Sequence, residues 1–249
     1  AGTASYTYDG TPKSMTAYAV KPDVENGYYD LVDEQVLTAV LTNNVKTDAG
    51  DYAVGFDRDE TTVELDGADV TKNYAIEYAS GRLTIGKAAG LLSIQDYTGV
   101  YDGNPHGVDS VASGCGSDAF TYYYRTSPDG EWVITKPLFT DAGTYTVYVK
   151  ATNANYEDLL DNGTVTISAR KILVQAGTAT FTYNGMPKSV TAYAVKPDVE
   201  NGYYDLVGGQ VLTVVLVNNV QTDAGSYPVS FNRDETKIKL SGGADVMRN

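Results

Sequence analysis

The stretch TDAGTYTVYVKATN, residues 140–153, holds the strongest local signal of the fold. Asp141 and Gly143 suit a tight turn. The residues after the turn alternate, with Tyr145, Val147 and Val149 on one side, which is the period of a half-buried strand. Tyr145 opens that strand. Its ring is expected to fill the edge of a core while its hydroxyl reaches backbone groups of the turn just left. The same pattern stands at TDAGDYAV, 47–54, and at TDAGSYPV, 222–229, with Tyr52 and Tyr227 in the equivalent place.

The flanking segments are also strand-like. TASYTYDG at 3–10, SVTAYAV at 189–195, QVLTVVLV at 210–217 and GTVTI at 163–167 are rich in Thr, Val and Tyr. No helix longer than two turns is signalled, and YYDLVDEQ suits one turn at most. The fold class expected is all-β, as three tandem small modules. A tyrosine at the start of a strand, bonded back to its turn, is a device of immunoglobulin-like sandwiches, which are the favoured fold. A β-grasp-like unit is the alternative.

Repetition sets the organisation. Ala1 aligned on Ala176 runs without a gap to Gly67 and Gly242, with 49 of 67 positions identical. GADVTKN at 67–73 then matches GADVMRN at 243–249 after one inserted glycine. The middle of the chain is a divergent relative, in which YDG at 101–103 answers YDG at 8–10 and YNG at 183–185. ATNANYEDLLDNGTVTI at 151–167 answers DVTKNYAIEYASGRLTI at 69–85. Modules are therefore placed at 1–86, 87–169 and 170–249. The last has no counterpart of RLTI at 82–85. We expect either that a further stretch of a longer parent supplies that strand or that the module is offset to begin near 172.

The outer repeats share AVKPDVENGYYDLV, at 19–32 and again at 194–207, without a substitution. Pro, Gly and Asn mark a loop, and its adjacent aromatics suit sugar stacking or a protein hot spot. Tyr28, Tyr29 and Asp30, with Tyr203, Tyr204 and Asp205, are the candidate ligand-binding residues. The competing reading is scaffold packing retained since the duplication. Tyr52, Tyr145 and Tyr227 are the structural candidates.

The 249 residues carry 18 Lys and Arg against 32 Asp and Glu, a formal charge of −14. Such a surface repels nucleic acid and anionic lipid. The excess falls on residues 1–86 and 87–170, whereas 171–249 carry 7 basic and 7 acidic groups. One cysteine, Cys115, rules out an internal disulfide and reads as an incidental thiol in a loop. No apolar run is long enough for a membrane-spanning helix. The opening AGTAS reads as the start of a mature fragment or an expressed piece.

Catalytic chemistry finds few parts. A covalent hydrolase needs a nucleophile, a base and an orienting group. The only histidine, His106, lies in the turn YDGNPHG and aligns with Lys13 and Lys188, so it reads as an exposed turn residue with no shared imidazole role. The acidic FDRDETTV at 56–63 and FNRDETKI at 231–238 read as solvated loops rather than a glycosidase pair. Asp57 of the first becomes Asn232 in the second, which argues against a calcium ligand. Zinc would have one Cys and one His. A Lys–Asn or Lys–Asp isopeptide crosslink would require Lys13 or Lys188 buried beside an acid. We expect no catalytic residue, no metal site and no cofactor.

In chain order, Tyr8-Asp9-Gly10, Asp48-Ala49-Gly50 with Tyr52, and Asn73-Tyr74 resemble the YDG and MBG repeat modules of bacterial cell-surface proteins. The middle repeat is the most similar, with Tyr101-Asp102-Gly103, YYRTSPDGEW at 123–132, Asp141-Ala142-Gly143 with Tyr145, and Asn155-Tyr156. The resemblance implies a non-catalytic extracellular stalk or adhesin, secreted or anchored on a bacterial wall and monomeric as a fragment. The alternatives are a specific binder of a host protein, such as immunoglobulin or a mucin-type glycoprotein, and a glycan-binding accessory module of a larger enzyme.

Overall fold

The computed structural model describes residues 1–116, 118–240 and 242. The GADVMRN segment at 243–249 lies outside them. The described chain is all-β. Its only helical elements are 3-10 turns of three residues, Val24–Asn26, Thr71–Asn73 and Val199–Asn201. Two compact units form. One comprises Ala1–Ser93, Ser110–Tyr123 and Lys150–Asp161, the other Ile94–Asp109, Tyr124–Val149 and Asn162–Asn249. The middle repeat contributes to both.

In the first unit a sheet runs in the order Thr3–Thr7, Gly81–Gly86, Gly50–Leu65, Val36–Thr42, and the short strand Ala68–Asp69 pairs with the long one. Thr3–Thr7 lies parallel to Gly81–Gly86, with Thr3 opposite Arg82 and Tyr6 opposite Ile85. The other pairings are antiparallel. Alternation selects the core. Leu83 and Ile85 turn inward and are buried, whereas Arg82 and Thr84 face out. Leu83, Ile85 and Val54 pack with Tyr8, Met15, Ala88 and Tyr156. Each fully buried aliphatic side chain of this kind contributes about 1.5–3 kcal/mol.

The strands of the middle repeat keep the same order: Thr121–Arg125, Gly143–Thr152, Leu159–Ser168, Tyr97–Val100. Here too the first strand pairs parallel with the last, Tyr97 opposite Val165 and Val100 opposite Ser168, within the second unit. Val147, Val149, Val165 and Ile167 alternate into the core.

Among its described residues the third repeat has only short ladders, Val174–Ala176 with Tyr193–Val195, Lys188–Ser189 with Val220–Gln221, Gln210–Thr213 with Lys237–Leu240, and Leu216–Val217 with Ser230–Phe231. Residues 178–182 and 225–229 form no strand. Their counterparts in the first repeat are held by Gly81–Gly86, which lies between them.

Candidate functional site

The duplicated loop closes on itself the same way twice. Asp23 caps the turn Val24–Asn26 by accepting from the Asn26 N–H, and Asp23 and Tyr28 exchange both backbone hydrogen bonds at 2.9 Å. Asp198, Asn201 and Tyr203 repeat this, with both exchanged bonds at 2.8 Å. Asp30 and Asp205 each accept from the next backbone N–H, of Leu31 and Leu206. The aspartates are thus occupied locally in both copies.

The tyrosines are not. Tyr28 donates to Glu77 Oε2 at 2.6 Å, and that carboxylate raises its pKa. Tyr29 is 71% exposed. In the second copy Tyr203 and Tyr204 are both half-buried. The Tyr204 N–H donates to Lys171 O at 2.8 Å, and the Arg170 guanidinium lies 4.8 Å from its ring centroid. Arg170 also donates to Asp205 O at 2.6 Å and to Tyr101 O at 3.2 Å, and Gln210 donates to the Tyr101 hydroxyl at 3.0 Å. One sequence therefore occurs in two settings: outward-facing at 19–32, and clamped on the junction segment and the preceding YDG tyrosine at 194–207.

The junction between the first and middle repeats, inside the first unit, uses other residues. Asn155 Oδ1 accepts from the Ala49 N–H at 2.8 Å and its Nδ2 donates to Asp48 Oδ1 at 3.0 Å. Tyr156 is fully buried and meets the Tyr8 ring edge-on, with centroids 5.4 Å apart. Both hydroxyls donate to Asp118 Oδ2, Tyr156 at 2.7 Å and Tyr8 at 2.9 Å. Burial first, then the Cys115 thiol and the Asp118 carboxylate, hold the Tyr156 hydroxyl far above its ordinary pKa. Cys115 Sγ lies 3.2 Å from that hydroxyl, so this thiol, although on an exposed residue, has an aromatic partner.

Each letter of YDG has a physical task. Tyr8 and Tyr101 are buried against the next repeat. Gly10 and Gly103 have left-handed backbones, φ 79° and 80°, and a Cβ there would stand 3.2 Å from Cys115 O and 2.7 Å from Val207 Cγ1. Asp9 takes the Thr11 N–H and the Lys13 ammonium. Asp102 takes the Asn104 N–H at 2.9 Å and has His106 Nε2 at 2.9 Å.

His106 departs from the sequence-based expectation. It is not an exposed turn residue. Its ring stacks on Tyr97 with centroids 4.1 Å apart, and it meets the YDG aspartate as Lys13 does in the first repeat. The shared role is donation to an aspartate, which either side chain performs, and that is why imidazole and ammonium interchange here. The hydrogen bonds from His106 and Asn104 depress the Asp102 pKa, and those from Lys13 and Thr11 depress that of Asp9. A depressed folded-state pKa means the unfolded chain takes up the proton first. The stabilisation is present above the ordinary carboxylate value and is lost as pH falls below about 4. Carboxyl carbon shifts tracked by NMR should show Asp9 and Asp102 titrating well below that range. Protonation of either within it would contradict these hydrogen bonds.

The three DAGxY tyrosines differ. Tyr52 donates to Asp48 O at 2.9 Å and Tyr145 to Asp141 O at 3.0 Å. Their rings are half-buried rather than buried. The glycine two residues earlier makes the fold-back possible, since a Cβ at Gly50 or Gly143 would stand 3.0 or 2.9 Å from the tyrosine hydroxyl. Tyr227 departs from the expectation. It is 39% exposed, and among the described residues its hydroxyl makes no such bond.

The acidic stretches are turns. Asp57 Oδ1 accepts from the Asp59 and Glu60 N–H groups, and Asn232 Oδ1 accepts from those of Asp234 and Glu235. An amide oxygen serves as well as a carboxylate, which explains the exchange. Among the described residues no group of three His, Cys, Asp or Glu side chains is placed to hold a metal ion. Compared with the models of known protein families and with curated proteins, the chain matches none.

Proposed function

We propose that this chain is a non-catalytic extracellular stalk or adhesin fragment from a bacterial surface, built of tandem immunoglobulin-like modules of the YDG/MBG kind. The observation that carries the reading is that Tyr8 and Tyr101, the tyrosines of two successive YDG turns, are both buried by residues of the next repeat. A motif spent on joining neighbours suits a chain whose task is to hold modules in series. The aspartates and the histidine that catalysis would need are engaged in turns. What supports an immunoglobulin-like unit is the tyrosine that opens the strand beside the last one and bonds back to its own turn, as a tyrosine corner does; the parallel pairing of first and last strands departs from an all-antiparallel sandwich. A β-grasp unit would need a helix across the sheet, and the described residues hold only 3-10 turns.

Trypsin tests the junction, because Arg170 and Lys171 are cleavage sites within it. Tyr204→Ala removes the ring beneath Arg170, a contact worth about 0.5–1 kcal/mol. It should speed cleavage there several-fold, whereas Tyr29→Ala should leave it unchanged. Equal cleavage in wild type and Tyr204→Ala would rule out a stabilising clamp.

A second reading, specific recognition of a host glycoprotein, immunoglobulin or glycan, is favoured by one observation. Tyr29 is outward-facing beside a Tyr28 already fixed by Glu77. Binding to mucins, immunoglobulins and a glycan array should then be lost in Tyr29→Ala with stability unchanged. Full retention of binding would reject this tyrosine as the contact.

A further inference from the structure

We propose that the middle repeat carries a subsite for a neutral pyranose sugar, in a groove walled by Phe139, Tyr145 and Tyr148. The groove lies within the second unit and has a volume of about 320 Å³, at the small end for a ligand site. Alternation builds one wall. In the strand Gly143–Thr152, Val147 and Val149 turn into the core, so Thr144, Thr146 and Tyr148 share the opposite face. The neighbouring strand Thr121–Arg125 runs on into Thr126 and Ser127, which also line the groove.

Two of the rings belong to this repeat alone. Aligned on the DAGxY motif, Phe139 corresponds to Lys46 and Gln221, and Tyr148 to Gly55 and Ser230. The fold does not demand them. In the first repeat the Lys46 ammonium lies 5.2 Å from the Tyr52 ring centroid, where Phe139 stacks on Tyr145 at 4.1 Å. Tyr148 is steadied by a residue outside the groove lining. The Arg125 guanidinium lies 5.4 Å from its ring centroid and 4.4 Å from that of Trp132. Arg125 Nε is buried and has no hydrogen-bond partner among the described residues, so the contacts with these rings are what fix it. A ring fixed before binding loses little freedom when a ligand arrives.

The lining selects the ligand. It holds no Asp, Glu, Lys, Arg or His, so an ionic group would find no counter-charge there. Thr126, Ser127, Thr144 and Thr146 are exposed, which leaves their hydroxyls open to a ligand. A hydroxyl both donates and accepts, as the hydroxyls of a sugar do. A pyranose also presents an apolar, weakly positive C–H face, and an aromatic face is the negative lobe of its quadrupole. Rings and hydroxyls together therefore match both surfaces of one sugar. A peptide added as a strand would need an unpaired backbone edge. Gly143–Thr152 has a neighbour on each side, Thr121–Arg125 and Leu159–Ser168.

This site is independent of the Tyr29 loop and of the stalk reading. Its test titrates the full chain with methyl β-galactoside, methyl β-glucoside and methyl α-mannoside, followed by amide NMR shifts. At least one should move the amides of 126–128 and 144–148 saturably, with a Kd on the order of 1 mM for one small ligand on an open groove. Phe139→Lys copies Lys46 and Tyr148→Ser copies Ser230, so both spare the fold. Each should weaken binding about tenfold. Phe139→Tyr keeps the ring and should retain binding. Glucuronate should bind no better than the glucoside. Absence of saturable shifts with all three sugars would overturn the proposal, as would shifts confined to residues 19–32. Undiminished binding in both Phe139→Lys and Tyr148→Ser, or a preference for glucuronate, would do the same. Shifts at this groove with a proline-rich peptide and none with any sugar would make it a peptide site and overturn it equally.

Discussion

Replacing Tyr156 by alanine is expected to destabilise the first unit by about 3–5 kcal/mol, the cost of removing a large aromatic from a closed core. The ring is fully buried, meets Tyr8 at 5.4 Å and Phe120 at 5.0 Å, and fills the space against Gly114, where an added Cβ would stand 2.3 Å from it. Tyr156→Phe isolates the hydroxyl. It removes one of the two phenols that Asp118 accepts and should cost about 1.5–3 kcal/mol, the range for a hydrogen bond to a charged group. Denaturant melts give the magnitudes, and hydrogen exchange gives their place. Protection should fall at Gly50–Val54 and Gly81–Gly86, which share this core, and persist at Val165–Ser168 in the second unit. A loss for Tyr156→Ala below about 1 kcal/mol would show that the aromatic cluster does not hold this core together.

That residue also marks where the sequence stops being legible. Asn155 and Tyr156 belong to a recurring pattern, but nothing along the chain says that they meet Asp48, Ala49 and Tyr8, roughly a hundred or more positions away. Contacts between repeats leave no periodic trace. The legible features depend on local rules. The inward alternation of Val147 and Val149, the DAGxY turn and the turn-rich PDVENG loop are each decided within about eight residues, and each is found. His106 is different, because its alignment with Lys13 and Lys188 suggests a change of chemistry where the structure shows a shared one. The signal for the shared role is the spacing of four from the YDG aspartate, which both Lys13 and His106 use. The unequal settings of Tyr29 and Tyr204 are beyond reach of the sequence, since fourteen identical residues predict identical loops. Arg170 and Lys171, which precede the second copy by more than twenty positions, separate them.

The three DAGxY tyrosines carry one motif to two degrees of completion, Tyr52 and Tyr145 alike and Tyr227 apart. A fully buried ring at Tyr145 would cost about 3–5 kcal/mol on truncation. The ring is half-buried, stacks on Phe139 with centroids 4.1 Å apart, and its hydroxyl is held by Asp141 O. Partial exposure lowers the expected loss for Tyr145→Ala to about 2–3 kcal/mol, and Tyr145→Phe should lose about 1 kcal/mol with the hydroxyl bond. Tyr227→Ala should cost under about 1 kcal/mol, since its ring is 39% exposed, carries no such bond and lies outside any strand. Parallel denaturant melts of the three variants decide the order. Equal losses at Tyr145 and Tyr227 would mean that the motif stabilises through the turn alone, without the neighbouring strand.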